Sequence, residues 1–161
     1  MLAELLRIHA HRIPVGVLRR IANLWSPFFG AGITLSHVSA DYRHIQVKMR
    51  LRWYNKNYVG THFGGSIYAM TDPFYMMMLI NNLGQDYIVW DKAANIEFIK
   101  PGRSTLSVSF VLDEAQVNTI KQLADTHGKY VFDLPVQVVD EQGDTIARVT
   151  KTLYVRKKSS Q

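Results

Sequence analysis

An α+β domain, in which an antiparallel sheet of about six strands wraps one long central helix, is predicted by three features of this sequence. Segments of alternating apolar and polar residues recur from residue 33 onward, and alternation with period two marks strands with one wet face. One segment, Ser66 to Asn81, is apolar on nearly every side, as a helix buried all round must be. A chain of 161 residues, 47% of them apolar, supplies one core of ordinary size.

Residues 1–25 have apolar side chains at helical spacing (Leu2, Leu5, Leu6, then Val17, Leu18, Ile21, Leu24 and Trp25), and Pro14 divides the helix into two pieces. Its polar side carries Arg7, His9, His11, Arg12, Arg19 and Arg20. Such a helix can rest on a membrane surface, but packing on its own domain or a partner subunit is the expected use. Strands begin at Ile33. The clearest runs from Arg43 to Trp53, where Ile45, Val47, Met49, Leu51 and Trp53 alternate with polar residues. A polar loop at 55–60 leads into the apolar helix, which ends at Gly84. An extended run from Asp86 to Ile99, a turn at 100–104 and a strand with Leu106, Val108, Phe110 and Leu112 follow. Asp113 with Gln116 spells a capping box, opening a short helix with Val117, Ile120, Leu123 and Ala124 on one face and Gly128 as its stop. The last two strands form a hairpin about 140–144, with Tyr130, Phe132, Leu134, Val136 and Val138 before it and Ala147, Val149, Leu153 and Val155 after it. The organisation is an N-terminal helical segment at 1–32, a core domain at 33–156 and a tail at 157–161.

Composition narrows the function. Lys and Arg number 19 against 13 Asp and Glu, a net +6 that suits anionic partners. No nucleic-acid motif is present and the basic residues do not cluster with aromatics, so nucleic acid is not expected. Without cysteine there is no disulfide framework, thiolate nucleophile or sulfur-ligated zinc. The histidines His9, His11, His37 and His44 lack acids at matching spacing, so no metal site is expected. No G-x-S-x-G elbow occurs, and Gly64-Gly65-Ser66 lacks the lysine of a phosphate loop. The longest apolar run is too short for a bilayer, and residues 1–14 lack a signal peptide's apolar core; the cytoplasm is the expected location.

Asp72 interrupts the apolar segment, and a buried carboxylate costs several kcal/mol unless paired. Thr71-Asp72-Pro73 is a helix-start signal with Asp as cap, and this reading competes evenly with a functional carboxylate. Upstream, Gly64-Gly65 offers bare amides that suit an oxyanion, or simply permits close packing. Eight helical residues would place amides and carboxylate roughly 12 Å apart, too far to serve one carbonyl. Two antiparallel copies across a dimer axis would bring one chain's amides opposite the other's carboxylate, making two sites per dimer.

The run from Phe63 to Asp72, FGGSIYAMTD, resembles the HGGxLFxLAD signature of hotdog-fold acyl-CoA thioesterases of the phenylacetyl-CoA type and of related uncharacterised thioesterase-like domains. Asn57, six residues before Phe63, also matches, and Ile96 to Gly102, IEFIKPG, resembles the IDFLRPG strand and turn of the same enzymes. The resemblance spans about residues 33–156 and implies a hotdog fold, a homodimer or homotetramer, and an acyl-CoA substrate with coenzyme A as part of that substrate and no further cofactor. It implies that Asp72 is the nucleophile or general base, that the Gly64 amide, with Gly65, polarises the thioester carbonyl from the facing subunit, and that Asn57 holds water or the carbonyl. Phe63 stands where that family has histidine. Either the adjacent His62 takes the role, or the site works without an imidazole, or it binds without hydrolysing. Phe63 and Met76 would then face the acyl group, with Met77 and Met78 as adaptable neighbours, and Lys100 and Arg103 would meet the carrier phosphates; core packing and a solvated turn are their plain alternatives. A hotdog hydratase is a rival reading, although its acid would fall where Met76 stands, and a non-catalytic acyl-CoA or lipid-binding module is another.

Overall fold

The computed structural model describes residues 14–158, and the expectations for Leu2, Leu5, Leu6, Arg7, His9, His11 and Arg12 lie outside them. Two helices, α1 (Val15–Leu24) and α2 (Ser26–Ala31), precede strands β1 (Ile33–Val38) and β2 (His44–Met49). Helices α3 (Gly64–Ala69) and α4 (Phe74–Leu83) follow, then β3 (Tyr87–Phe98), β4 (Leu106–Val111), α5 (Glu114–His127), β5 (Lys129–Val139) and β6 (Thr145–Lys157). The strands form one six-stranded antiparallel sheet in the order β1-β2-β4-β5-β6-β3, so β1 and β3 are its edges. The α+β architecture expected from periodicity is present.

The core lies between the inner face of the sheet and α4. Phe74, Tyr75, Met78 and Leu79 of α4 are buried, and Phe74 packs between Phe28 of α2 and Phe110 of β4, with ring centroids 5.7 and 5.2 Å away. The Tyr75 hydroxyl donates to the Pro135 carbonyl at 2.9 Å, which satisfies the one polar atom this ring carries inside. The apolar segment is not one helix. It breaks at 70–73, where the Thr71 and Asp72 amides donate to the Tyr68 and Ala69 carbonyls, the Thr71 hydroxyl also bonds Tyr68 O, and the Asp72–Pro73 peptide is cis.

Strand β2 is shorter than its alternation suggests: Trp53 is 86% exposed rather than an inward residue. The buried Asn55 explains the early stop. Its side chain accepts from the Arg52 amide and donates to the Ala31 and Arg50 carbonyls, which draws the chain off the sheet toward the end of α2. Helix α1 lies on its own domain, with Val15, Leu18 and Ala22 against the core and the Asn23 side chain accepting from the Leu35 amide at 2.7 Å. The capping box forms as expected at Asp113 and Gln116, and Gly128 ends α5 in the left-handed region. Among the described residues, no helix is long and apolar enough to cross a membrane.

Candidate active site

Asp72 stands in the gap between α3 and α4, its side chain 45% exposed. It does not cap: α4 begins at Phe74 without a side-chain hydrogen bond at its N-terminus. The cap that Thr71-Asp72-Pro73 allows does not form. Beneath Asp72 lies Lys151, in the inward row of β6 that also holds Ala147, Val149, Leu153 and Val155, and it is as buried as they are. Its Nζ is 2.8 Å from Asp72 Oδ1 and 3.3 Å from Asp91 Oδ2, and it sits over the Tyr68 ring at 5.2 Å from the centroid. Asp91 follows Tyr87 and Val89 on the inward row of β3, and a bulge between Asp91 and Ala93 ends that row there. A buried ammonium costs several kcal/mol by itself, and two carboxylates and an aromatic face offset that cost.

The three charges tune one another. Burial alone pushes the Asp72 carboxyl up, but hydrogen bonds from Asp91 and Lys151 and the lysine's charge outweigh it, leaving Asp72 below its usual value. Burial and the adjacent Asp72 push Asp91 up to about 7. For Lys151, burial favours the neutral form, yet its bond to Asp72 and the charges of both carboxylates hold it above its ordinary value. A protonated Asp91 therefore leaves a neutral cluster of one ammonium, one carboxylate and one acid. The carboxyl raised by burial is thus Asp91, and Asp72 beside it is lowered.

Gly64 and Gly65 open α3, ahead of its first backbone hydrogen bonds, which Ser66 and Ile67 donate to the Phe63 carbonyl. Both glycines lie flush under aromatic rings: a Cβ at Gly64 would meet the Phe98 ring at 3.1 Å, and one at Gly65 would strike Phe63. The rest of α3 and the Met70-Thr71 turn separate these amides from Asp72. The Phe63 ring is exposed, and Met76 is half-buried against the core.

The other polar candidates face elsewhere. Asn57 donates to the Thr61 hydroxyl and the His62 carbonyl and accepts from the Val59 and Thr61 amides, which uses its full capacity inside the 57–62 loop. His62 is 3% exposed; its Nε2–H donates to the Ser104 carbonyl at 2.8 Å, and Nδ1 is buried without a partner. Burial pulls its pKa down against that hydrogen bond, so the ring is neutral. Lys100 pairs with Asp144 at 2.7 Å. Arg103 lines an open cleft of about 480 Å³ together with Arg50, Arg52, Lys56 and a lone acid, Glu141. The His37 and His44 rings are 5.3 Å apart, with His44 also bonded to the Ser109 hydroxyl.

Lys151 and Asp91 escaped the sequence reading. The available signal was a charge in an inward row: Lys151 occupies the period-two position between Val149 and Leu153, and Asp91 the one after Val89.

A family model described as "Domain of unknown function (DUF4442)" matches residues 16–155. Among proteins with curated functions, none matches. Solved structures do. A Pseudomonas aeruginosa protein of unknown function, PA5026, described as a probable thioesterase, is 18% identical, with a TM-score of 0.81 over 91% of this chain and 97% of its own. Thioesterase HI1161 from Haemophilus influenzae is 15% identical, with a TM-score of 0.64 over 90% and 92%. The Escherichia coli PaaI protein from the phenylacetic acid degradation operon is 14% identical, with a TM-score of 0.58 over 89% and 92%. The hotdog fold expected from the resemblance is observed, its antiparallel sheet as expected and its central helix in two pieces rather than one.

Proposed function

The chain belongs to the DUF4442 family, and we propose that it hydrolyses a thioester of coenzyme A or an acyl carrier to free acid and thiol, with Asp72 as the reacting carboxylate. One observation carries this reading: a half-exposed carboxylate is kept ionised by a buried lysine at a break in the central helix. An ionised carboxylate can take a proton from water or attack the thioester carbon directly. Backbone amides at Gly64 and Gly65 would receive the oxyanion, and neither role needs a metal or a cofactor beyond the carrier. That two structural relatives carry the name thioesterase supports the reading.

The site needs a second copy of the chain, because α3 separates amides from carboxylate. Strand β3 supports this. It is a sheet edge twelve residues long, and from Lys92 to Phe98 it is exposed on both faces apart from half-buried Ile96. An open edge of that length, bearing Ala93, Ala94 and Phe98, is a template for pairing with another strand. Phe98 covers Gly64, so pairing there would place a neighbour beside the glycine amides. The basic cleft of Arg50, Arg52, Lys56 and Arg103 is joined to the same loop, because His62 bonds both Gly102 and Ser104. It would receive the carrier's anionic part, with Arg103 in the role expected of it and Lys100 held aside by Asp144.

Purified protein incubated with a panel of acyl-CoAs should release free thiol, and Asp72→Asn should abolish release; hydrolysis that persists in the variant rejects the assignment. Light scattering should give a dimer or tetramer, and Phe98→Glu should shift it to monomer with loss of hydrolysis. A second reading, an acyl-CoA-binding module, is favoured by Phe63 in place of an imidazole and by the inward engagement of His62 and Asn57. Binding by calorimetry without turnover of any substrate in the panel would establish it instead.

A further inference from the structure

We propose that Lys151 and Asp91 are positioning residues for Asp72, a two-carboxyl, one-ammonium unit in which Asp91 holds a proton and donates it as a hydrogen bond to the Asp72 carboxylate while Lys151 clamps the other side. This extends the thioesterase reading and rests on it for the catalytic consequence, but the protonation pattern is independent of which reaction is catalysed. Lys151 is buried away from water that could replace its partners, and among the described residues the anionic groups within ion-pair distance are Asp72 at 2.8 Å and Asp91 at 3.3 Å. Among the described residues no donor reaches the buried Asp91 Oδ1, so an ionised Asp91 would leave that oxygen unsatisfied. Protonated, Asp91 bonds Asp72 and the unit is neutral. Three titratable groups act on one another here, Asp72 after α3, Asp91 on β3 and Lys151 on β6, with the Tyr68 ring of α3 packed against the Lys151 ammonium.

In the reaction, the water oxygen bonds the thioester carbon as Asp72 takes the water's proton. The C–S bond then breaks, and that proton passes to the departing sulfur. Asp91 keeps its own proton throughout. Its hydrogen bond and the lysine aim one Asp72 oxygen outward and keep Asp72 ionised in competition with protons.

The test is a carbon-detected titration of the aspartate carboxyls in the full chain, alongside the pH dependence of kcat/KM. One carboxyl, absent from Asp91→Asn, should titrate near 7, and Asp72 below the ordinary range. Lys151→Met should raise Asp72 by about one to three units and move the acid limb of kcat/KM by the same amount. If Lys151→Met does not fold, Asp91→Asn decides: the wild-type Asp72 signal must show a second inflection near neutral pH, reporting its neighbour, and the variant must lack it. An Asp91 that titrates in the ordinary range, or an Asp72 signal indifferent to both variants, overturns the proposal whether or not any thioester is cleaved. Expected titrations without hydrolysis by the wild type would reject the thioesterase reading and leave the unit standing.

Discussion

The 57–62 loop and the Asp72–Asp91–Lys151 cluster both put polar side chains next to the central helix, and they use them in opposite ways. In the loop, Asn57 makes four hydrogen bonds to its own neighbours and His62 is turned into the 102–104 turn, so little is left over for a ligand. In the cluster one lysine serves two carboxyls, and one of those is 45% exposed. Neutral groups with every bond made hold a backbone in place. Charges sharing too few partners keep capacity for chemistry, at a cost in stability that the packed sheet around them absorbs.

Substitutions that separate these uses sharpen the contrast. The largest effect is expected from Asp72→Asn, which preserves shape but removes the base and should lower kcat by about 10²- to 10⁴-fold, well beyond what any loss of melting temperature from the unpaired Lys151 explains. Asn57→Ala should act through stability instead. It leaves the Val59 and Thr61 amides and the His62 carbonyl without their partner, a loss of about 1–3 kcal/mol, or several degrees in Tm. Its kcat should fall less than tenfold. Equal losses of kcat in the two variants would erase the distinction and make Asn57 a participant in the chemistry.

What the residues alone revealed follows the same division. Period-two alternation marked the strands, Asp113 and Gln116 announced their own cap, and Asp72 stood out because a charge in an apolar helix needs a reason. The helix break at 70–73 was harder, because Thr-Asp-Pro spells the start of a helix as readily as the gap between two. The alternation points Trp53 inward, but Asn55, through its contacts to α2, cuts that alternation short. Lys151 lies 79 residues from Asp72, and nothing local to either says that they meet. The period-two row of β6 is apolar except at position 151, and that exception is the partner.

The smallest expected effect compares the two regions by their response to pH. Asp91 is raised to about 7 from an unfolded value of 3.8, so between those pH values the folded chain holds a proton that the unfolded chain has released. Stability from this group is complete below 3.8 and drains away as pH rises through about 7. His62 is lowered below 6.5 by burial, so in the window under 6.5 the unfolded chain binds the extra proton, and stability from the loop grows as pH rises toward 6.5. Asp72 is lowered below 3.8, and its contribution is lost only in stronger acid. Loop and cluster therefore oppose each other below 6.5, whereas above it only Asp91 still changes. Melting curves of the wild type should fall in Tm from pH 6.5 to 8, and the curves of Asp91→Asn should not. A decline that survives in Asp91→Asn would assign it to some other group and remove the reason to regard Asp91 as the proton holder beside Asp72.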